Sequence, residues 1–365
     1  MELNMSFNFG IIGLPNVGKS TIFNALSAAG AEMANYPFCT IEPNRGIVAV
    51  PDARLDTIAR ILKKENPIPT RIEFVDLAGL VKGASRGEGL GNKFLSHIRT
   101  VDAIIHVVRL FHQEDVVHVT GDIDPIRDVE IVKTELLLSD LEILERALEK
   151  QKKLAHSGVQ EAKKKCGIIE KAIQHLNAGT LLKDIEISDE ERSVFRELGL
   201  ISLKPVLYCA NIDEDSTEEG NMRVLEEYAG RERSGFISIT GKLEEEISEL
   251  SPEEKGEYLR GLGIGESGLD RLVEASYRLL DLITFFTTAT QLQAWTLNRS
   301  TSALEAAGKI HTDFARGFIR AEVYSYEDLL ELGSEHTVRE KGRLRSEGKE
   351  YLVQDGDIIR FLFNV

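Results

Sequence analysis

The octet GLPNVGKS, Gly13 to Ser20, constrains this chain more than any other stretch. It follows the apolar, β-prone run FNFGII and leads directly into TIFNALSAA, which reads as a helix. It fits GxxxxGK[ST] in the strand–loop–helix setting that the pattern requires for binding phosphate. The glycines let backbone N–H groups curl around phosphate oxygens, and the helix N-terminus adds the positive end of its dipole. Asn16, Val17, Gly18, Lys19, Ser20 and Thr21 are the expected nucleotide contacts. Lys19 would bridge the β- and γ-phosphates, and the Ser20 hydroxyl would ligate Mg²⁺.

A phosphate loop alone does not make a hydrolase, so its partners matter. The strand-like RIEFV runs into Asp76-Leu77-Ala78-Gly79, a DxxG at a strand end. Asp76 can hold the Mg²⁺ shell, and the Gly79 N–H can reach the γ-phosphate. Between the two motifs lies NYPFCTIEPN, where Thr40 is the only threonine between Thr21 and Thr57. Its hydroxyl is the natural group to close over Mg²⁺ when the γ-phosphate is present; a solvated loop threonine is the alternative. In Ras-like enzymes a glutamine follows DxxG and orients the attacking water. Here Leu80 stands in that place, so slow intrinsic turnover is expected.

The base is read further along, in KPVLYCANIDED, Lys204 to Asp215. GTPases carry NKxD at such a strand end, with the aspartate taking the two donors of guanine. Here Asn211 is followed by Ile212 and the acid is Glu214, one methylene longer. A site built for those donors rejects the other base by about 10⁴–10⁵. Loss of the lysine stem and displacement of the carboxylate favour ATP, with Asn211 left to bond the adenine N6/N7 edge. Glutamate standing in for aspartate, with GTP still bound, is the alternative.

Around these motifs the chain organises itself. FNFGII, GIVAV, RIEFVD and DAIIHVV alternate with helical segments, one of them from Asp52 to about Lys64, as in an α/β domain with a largely parallel sheet. From Ile126 to about Lys153 apolar residues recur at helical spacing, and a second helix, Val159–Leu176, follows the turn HSG. This predicts an antiparallel helical hairpin inserted in the α/β domain. The sheet resumes with VLYCAN and GFISIT, and the last 85 residues, rich in short strands and turns, read as a small α+β domain. The expected boundaries are 1–125 and 200–281 for the two parts of the nucleotide domain, 126–199 for the insert and 282–365 for the last domain.

Composition excludes several classes. No apolar run approaches the ~20 residues of a membrane span, and the N-terminus lacks a signal-peptide pattern. Cys39, Cys166 and Cys209 are isolated, which fits a reduced cytoplasm. The net charge of −16 argues against a general nucleic-acid coat, and no DNA partner is expected. Lys150, Lys152, Lys153, Lys163, Lys164 and Lys165 nevertheless cluster at the hairpin turn, opposed locally by Glu161 alone. They suit rRNA phosphates or an acidic partner, or are a solvated helix end. Arg339, Lys341, Arg343, Arg345 and Lys349 form a second basic stretch, diluted by Glu340 and Glu347. Trp295 stacks a base or sits in the core.

GLPNVGKST, NYPFCTIEPN, FVDLAGLVKGASRGEGLGNKFL, NIDE in place of NKxD, AWT, IHTDFARGFIRAEV and EGKEYLVQDGD together resemble the YchF subfamily of Obg-related P-loop NTPases. The resemblance spans essentially the whole chain. It implies a P-loop NTPase domain, an inserted coiled-coil hairpin and a C-terminal TGS domain of ubiquitin-like β-grasp fold. It also implies ATP rather than GTP as substrate, and association with the ribosome. The large subunit, met through the hairpin and the TGS domain, is the expected contact. The family places a hydrolysis histidine in the loop held here by DVVHVTGD, hence His118, with a strand-edge packing role as the alternative. Asn16 stands where related hydrolases without the glutamine hold K⁺, so a K⁺ ion is a further expectation. Ser238 and Thr240, after GFISIT, match the Obg-like base-side loop only loosely.

Overall fold

The computed structural model describes residues 7–30, 44–77, 90–112, 122–214 and 218–364. Thr40, Gly79, Leu80 and His118, each given a role from sequence, lie outside the described residues, as does Cys39.

The nucleotide domain begins with β1 (Asn8–Ile12), the phosphate loop and α1 (Lys19–Gly30), followed by β2 (Asn44–Ala49), α2 (Ala53–Leu62), β3 (Arg71–Asp76), α3 (Leu90–Thr100) and β4 (Ala103–Leu110). After the insert it resumes with β5 (Val206–Ile212), α7 (Glu219–Arg231), β6 (Gly235–Ile239), α8 (Gly241–Ser248), α9 (Pro252–Gly261) and α10 (Gly268–Leu279). The six strands stand in the order β2-β3-β1-β4-β5-β6, with β1, β4, β5 and β6 parallel. Every residue of β4 is buried, the signature of a strand covered on both faces. Strand order reverses between β1 and β4. The loop leaving β1 therefore sits at the crevice where open α/β sheets bind ligands.

The insert comprises α4 (Pro125–His156), α5 (Gln160–Asn177) and α6 (Asp189–Leu198). Asp124 caps α4 by accepting the Arg127 N–H at 3.0 Å, and Pro125 occupies the first turn, where its missing N–H costs nothing. Three residues join α4 to α5, so the chain turns back on itself and Leu137, Leu144, Ile169, Ala172 and Leu176 share one core. Helix α6, opened by a capping box at Ser188 and Glu191, adds Val194 and Phe195 to that core. The foot of the hairpin is fixed by a buried carboxylate. Asp140 is fully buried and accepts Arg99 Nη1 at 2.9 Å, the Ile201 N–H at 3.0 Å and the Ser202 N–H at 2.7 Å. Removing one partner of such a buried pair costs about 3–5 kcal/mol.

The C-terminal sheet contains β7 (Leu282–Thr287), β8 (Gln293–Asn298), β9 (Phe318–Ser325), β10 (Arg345–Glu347) and β11 (Asp357–Phe363), in the order β10-β9-β11-β7-β8. Four short helices accompany it: α11 (Ala303–Ile310), α12 (Thr312–Arg316), α13 (Tyr326–Leu332) and α14 (Glu335–Glu340). This is the β-grasp arrangement. One face packs Ile283, Phe285, Ile359 and Phe361 against the alanines of α11.

The other face brings a departure from the sequence boundaries. Leu55 and Ile58 of α2 are buried with Phe286, Tyr324, Leu329 and Ile358, and Arg54 pairs with Asp355 at 2.8 Å. Ile47–Glu73 accordingly groups with Val273–Val365 as one compact unit, and Asn8–Gly46 with Phe74–Leu272 as the other. A segment placed in the nucleotide domain by its position in the sequence is core material of the C-terminal unit. Among the described residues no helix is long and apolar enough to cross a membrane.

Candidate nucleotide site

The phosphate loop owes its shape to three residues with positive φ: Gly13 at 152°, Asn16 at 63° and Gly18 at 89°. A Cβ on Gly13 would stand 2.5 Å from the Val107 carbonyl oxygen, and one on Gly18 would stand 2.1 Å from Asn211 Nδ2. Both positions therefore need glycine for space as well as for conformation. Asn16 lies exposed at the loop's apex and Val17 is buried. Lys19, Ser20 and Thr21 form the first turn of α1.

Lys19 is 7% exposed, and its Nζ donates to the Gly13 and Leu14 carbonyls at 3.2 and 2.7 Å. Burial pushes its pKa down to about 8, against the opposing pull of the Asp76 carboxylate. Asp76 ends β3 on the same side of the sheet. Its pKa is raised by burial, with the Lys19 charge and a hydrogen bond from the Ser20 hydroxyl acting the other way. Asp76 Oδ1 is buried and has no hydrogen-bond partner among the described residues. An orphaned carboxylate oxygen beside the Ser20 hydroxyl fits a hard cation held by one carboxylate, one hydroxyl, water and phosphate oxygens, as Mg²⁺ prefers. Ser20 and Asp76 would hold it. Among the described residues no group of three His, Cys, Asp or Glu forms an all-protein metal cage.

Asn211, at the end of β5, is 5% exposed and joins two segments. Its Nδ2 donates to the Val17 carbonyl at 3.1 Å, and its Oδ1 accepts the Gly241 N–H at the start of α8 at 3.0 Å. The side chain assigned to the base from sequence is thus also the tie between the phosphate loop and the base-side loop. Ile212 closes β5 half-buried, and Glu214 is exposed two residues on.

Four contributors escaped the sequence reading. Gly241, one residue beyond Thr240, is the group in this loop that bonds Asn211; a glycine opening a helix after GFISIT was the available signal. Asp213 Oδ2 accepts the His112 N–H at 2.8 Å, tying the exits of β4 and β5 together. Phe111 stands 3.8 Å from a Cβ placed on Gly18. The Arg109 guanidinium lies over the Phe111 ring at 4.3 Å and donates through Nε to its carbonyl at 3.0 Å. His106 is buried in β4, pushed down to about 3 by burial and the Lys19 charge, and so neutral. His97 lies on α3.

Away from the site, Lys150, Lys153, Lys163 and Lys164 at the hairpin turn are exposed. Lys152 pairs with Glu170 at 3.0 Å, and Lys165 pairs with Glu197 at 3.2 Å as well as with Glu161. The expectation that Glu161 alone opposed this cluster is corrected: acids one turn or one helix away fold back onto it. In the second basic stretch Arg345 is neutralised by Asp357 and Glu347. Trp295 is half-buried, stacked on Phe285 at 6.4 Å and bonded through Nε1 to Thr287 Oγ1 at 3.0 Å, so most of it belongs to the core.

Fold and site together define a P-loop NTPase with a helical insert and a C-terminal β-grasp domain. Comparison with known proteins sharpens the class. Residues 8–153 match the family described as 50S ribosome-binding GTPase, and residues 282–364 match the C-terminal family of YchF-type GTPases, described as a protein of unknown function. The chain is 47% identical over 363 residues to the ribosome-binding ATPase YchF of Escherichia coli O157:H7, and 50% identical over 366 residues to that of Bacillus subtilis strain 168. Each alignment covers 99% of this chain and 100% of the relative. The solved structure of the Schizosaccharomyces pombe YchF GTPase superposes with a TM-score of 0.86 at 36% identity, covering 98% of both chains. The chain belongs to the YchF family of Obg-related P-loop NTPases.

Lys19 makes the site pH-sensitive in a defined direction. With a pKa near 8 in the free protein, it is charged below that pH; phosphate oxygens bound beside it raise that value. ATP affinity should therefore be flat up to about pH 7.5 and fall above pH 8, by at most about tenfold per pH unit. Calorimetry in buffers of different ionisation enthalpy should show proton uptake on binding that grows from near zero at pH 7 towards one at pH 9. Affinity independent of pH across this range would contradict the assignment.

Proposed function

We propose that this chain is an ATP-binding and ATP-hydrolysing switch that associates with the ribosome. The bacterial relatives are described as ribosome-binding ATPases and the fission-yeast relative as a GTPase, so the base-side residues have to decide. The observation that carries ATP is the end of β5. Ile212 offers no lysine stem beside Asn211, and Glu214 is exposed where guanine specificity needs a buried carboxylate. Asn211 uses Oδ1 on Gly241 and one Nδ2 hydrogen on Val17, which leaves its second Nδ2 hydrogen for an acceptor such as adenine N7.

In this reading the backbone N–H groups of 16–20 cradle the phosphates, and the Lys19 ammonium leaves the Gly13 and Leu14 carbonyls for the β- and γ-oxygens. Ser20, Asp76 and Thr40 would hold Mg²⁺, which would supply neutralisation of the phosphate charge. Gly79 contacts the γ-phosphate, and His118 serves as the polar group that Leu80 cannot be. A K⁺ ion beside the exposed Asn16 belongs to the same proposal.

Two measurements test it. Calorimetry of the unaltered protein should give tighter ATP than GTP binding, and Ile212→Lys with Glu214→Asp should recover GTP binding; tighter GTP binding at the outset would overturn the adenine assignment. The exposed lysine tip is proposed to meet rRNA phosphates. Changing Lys150, Lys153, Lys163 and Lys164 to glutamate should weaken ribosome co-sedimentation and flatten its salt dependence, because fewer counterions are released. Unchanged sedimentation across a salt series would make the tip a solvated helix end.

A further inference from the structure

The β-grasp sheet has an edge in its interior. On one side β11 pairs with β9 along its whole length, from Asp357↔Ser325 to Phe363↔Phe318. On the other side its register with β7 is Ile358↔Phe286, and β7 ends at Thr287, so Arg360–Phe363 run on beyond it. The Gly356 N–H donates to the Thr284 carbonyl at 2.8 Å. The Tyr326 N–H donates to the Gly356 carbonyl at 2.9 Å in register with β9; backbone groups alternate sides along a strand, so those of 358, 360 and 362 address β9 and those of 359, 361 and 363 address the β7 side. Those of Phe361 and Phe363 meet no strand there, and among the described residues no loop hydrogen bond reaches them.

The space they face is a built cleft. A pocket of about 620 Å³ opens beside Arg360–Phe363, lined by Thr287, Gln293, Trp295, Phe314, Phe361 and Phe363 among others. Phe363 is 40% exposed and stacks on Phe314 at 4.0 Å. Trp295 is held at the cleft by its bond to Thr287. Alternation gives the cleft two different walls. Phe361 and Phe363 lie on the α11 face with Trp295 and Phe314. Arg360 lies on the opposite face with Ile358. Arg360 is exposed, and among the described residues no carboxylate pairs with it: Glu322, opposite in register, pairs with Arg320 instead.

We propose that the open side of β11 at Arg360–Phe363 is a docking site for an extended partner peptide of alternating apolar and acidic residues. Such a peptide continues β7's place in the sheet. Its backbone takes the N–H and C=O groups of Phe361 and Phe363. Every second side chain enters the aromatic cleft, and the intervening carboxylates lie beside Arg360. A single-stranded RNA fits less well. It has no alternating amides for the strand edge, and a track of cations for its phosphates would be needed where Arg360 stands alone.

Trp295 is the only tryptophan of the chain, so its fluorescence reports this cleft in the full-length protein. Titration with the hexapeptide acetyl-(Glu-Leu)₃-amide should give a saturable change. Of two versions N-methylated on alternate residues, one should bind at least tenfold more weakly, because its side chains are unchanged and only its strand hydrogen bonds are lost. Arg360→Glu should weaken the Glu-Leu peptide and strengthen its Lys-Leu counterpart. No saturable change would overturn the proposal. So would equal binding of both methylated versions, or saturation by an oligoadenylate RNA with the peptide silent.

Discussion

One amide side chain holds the nucleotide domain's working parts in register. Asn211 leaves the central sheet at the end of β5, donates to Val17 in the phosphate loop and accepts from Gly241 at the head of α8. Buried amides left unpaired cost about 1–3 kcal/mol each, so these two bonds fix both loops relative to the strand. The two glycines follow from the same constraint. A Cβ on Gly18 would strike Nδ2 at 2.1 Å, and one on Gly241 would stand 2.9 Å from Oδ1. The phosphate loop is shaped by its own glycines and kept in place from outside by this residue.

A second tie seats the helical insert on the same sheet. Lys133 of α4 meets Glu232 at 2.5 Å, and Glu232 accepts the hydroxyls of Tyr208 on β5 and Tyr228 on α7, each at 2.9 Å. Burial, the largest single influence, pushes the carboxylate's pKa up, but the lysine and the two hydroxyls together outweigh it and lower it. Together with Asp140 below, this anchors the foot of the hairpin while its turn, with five exposed lysines, reaches solvent. The anchored end belongs to the nucleotide domain, and the charged end is the part that the proposed ribosome contact would use.

Much of this was legible in the sequence, for identifiable reasons. The phosphate loop is local: eight consecutive residues fix its conformation, so its motif reads directly. The hairpin was readable to within a few residues, because Val129, Val132, Leu144, Ile169 and Leu176 keep helical period over long segments. Long-range facts were not readable. Nothing in Ala53–Leu62 announces that Leu55 and Ile58 pack with Phe286 and Ile358, more than 200 residues away. The altered NKxD pattern marks Asn211 as an expected base contact, but its bonds to Val17 and Gly241 depend on parallel register between strands. Arg109 and Phe111 carry no motif at all, and they reach the loop only because β4 lies beside β1.

The account stands or falls on whether Asn211 holds the phosphate loop in its binding shape. Asn211→Asp preserves size and leaves an acceptor for Gly241, but it places a carboxylate oxygen where Nδ2 donates to the Val17 carbonyl. Calorimetric titration of this variant with ATP, beside a thermal melt, measures the consequence. We expect affinity to fall at least about tenfold, the order set by one lost buried hydrogen bond, with the melt still cooperative. ATP affinity equal to that of the unaltered protein would show that the loop keeps its shape without this tie, and would contradict the account.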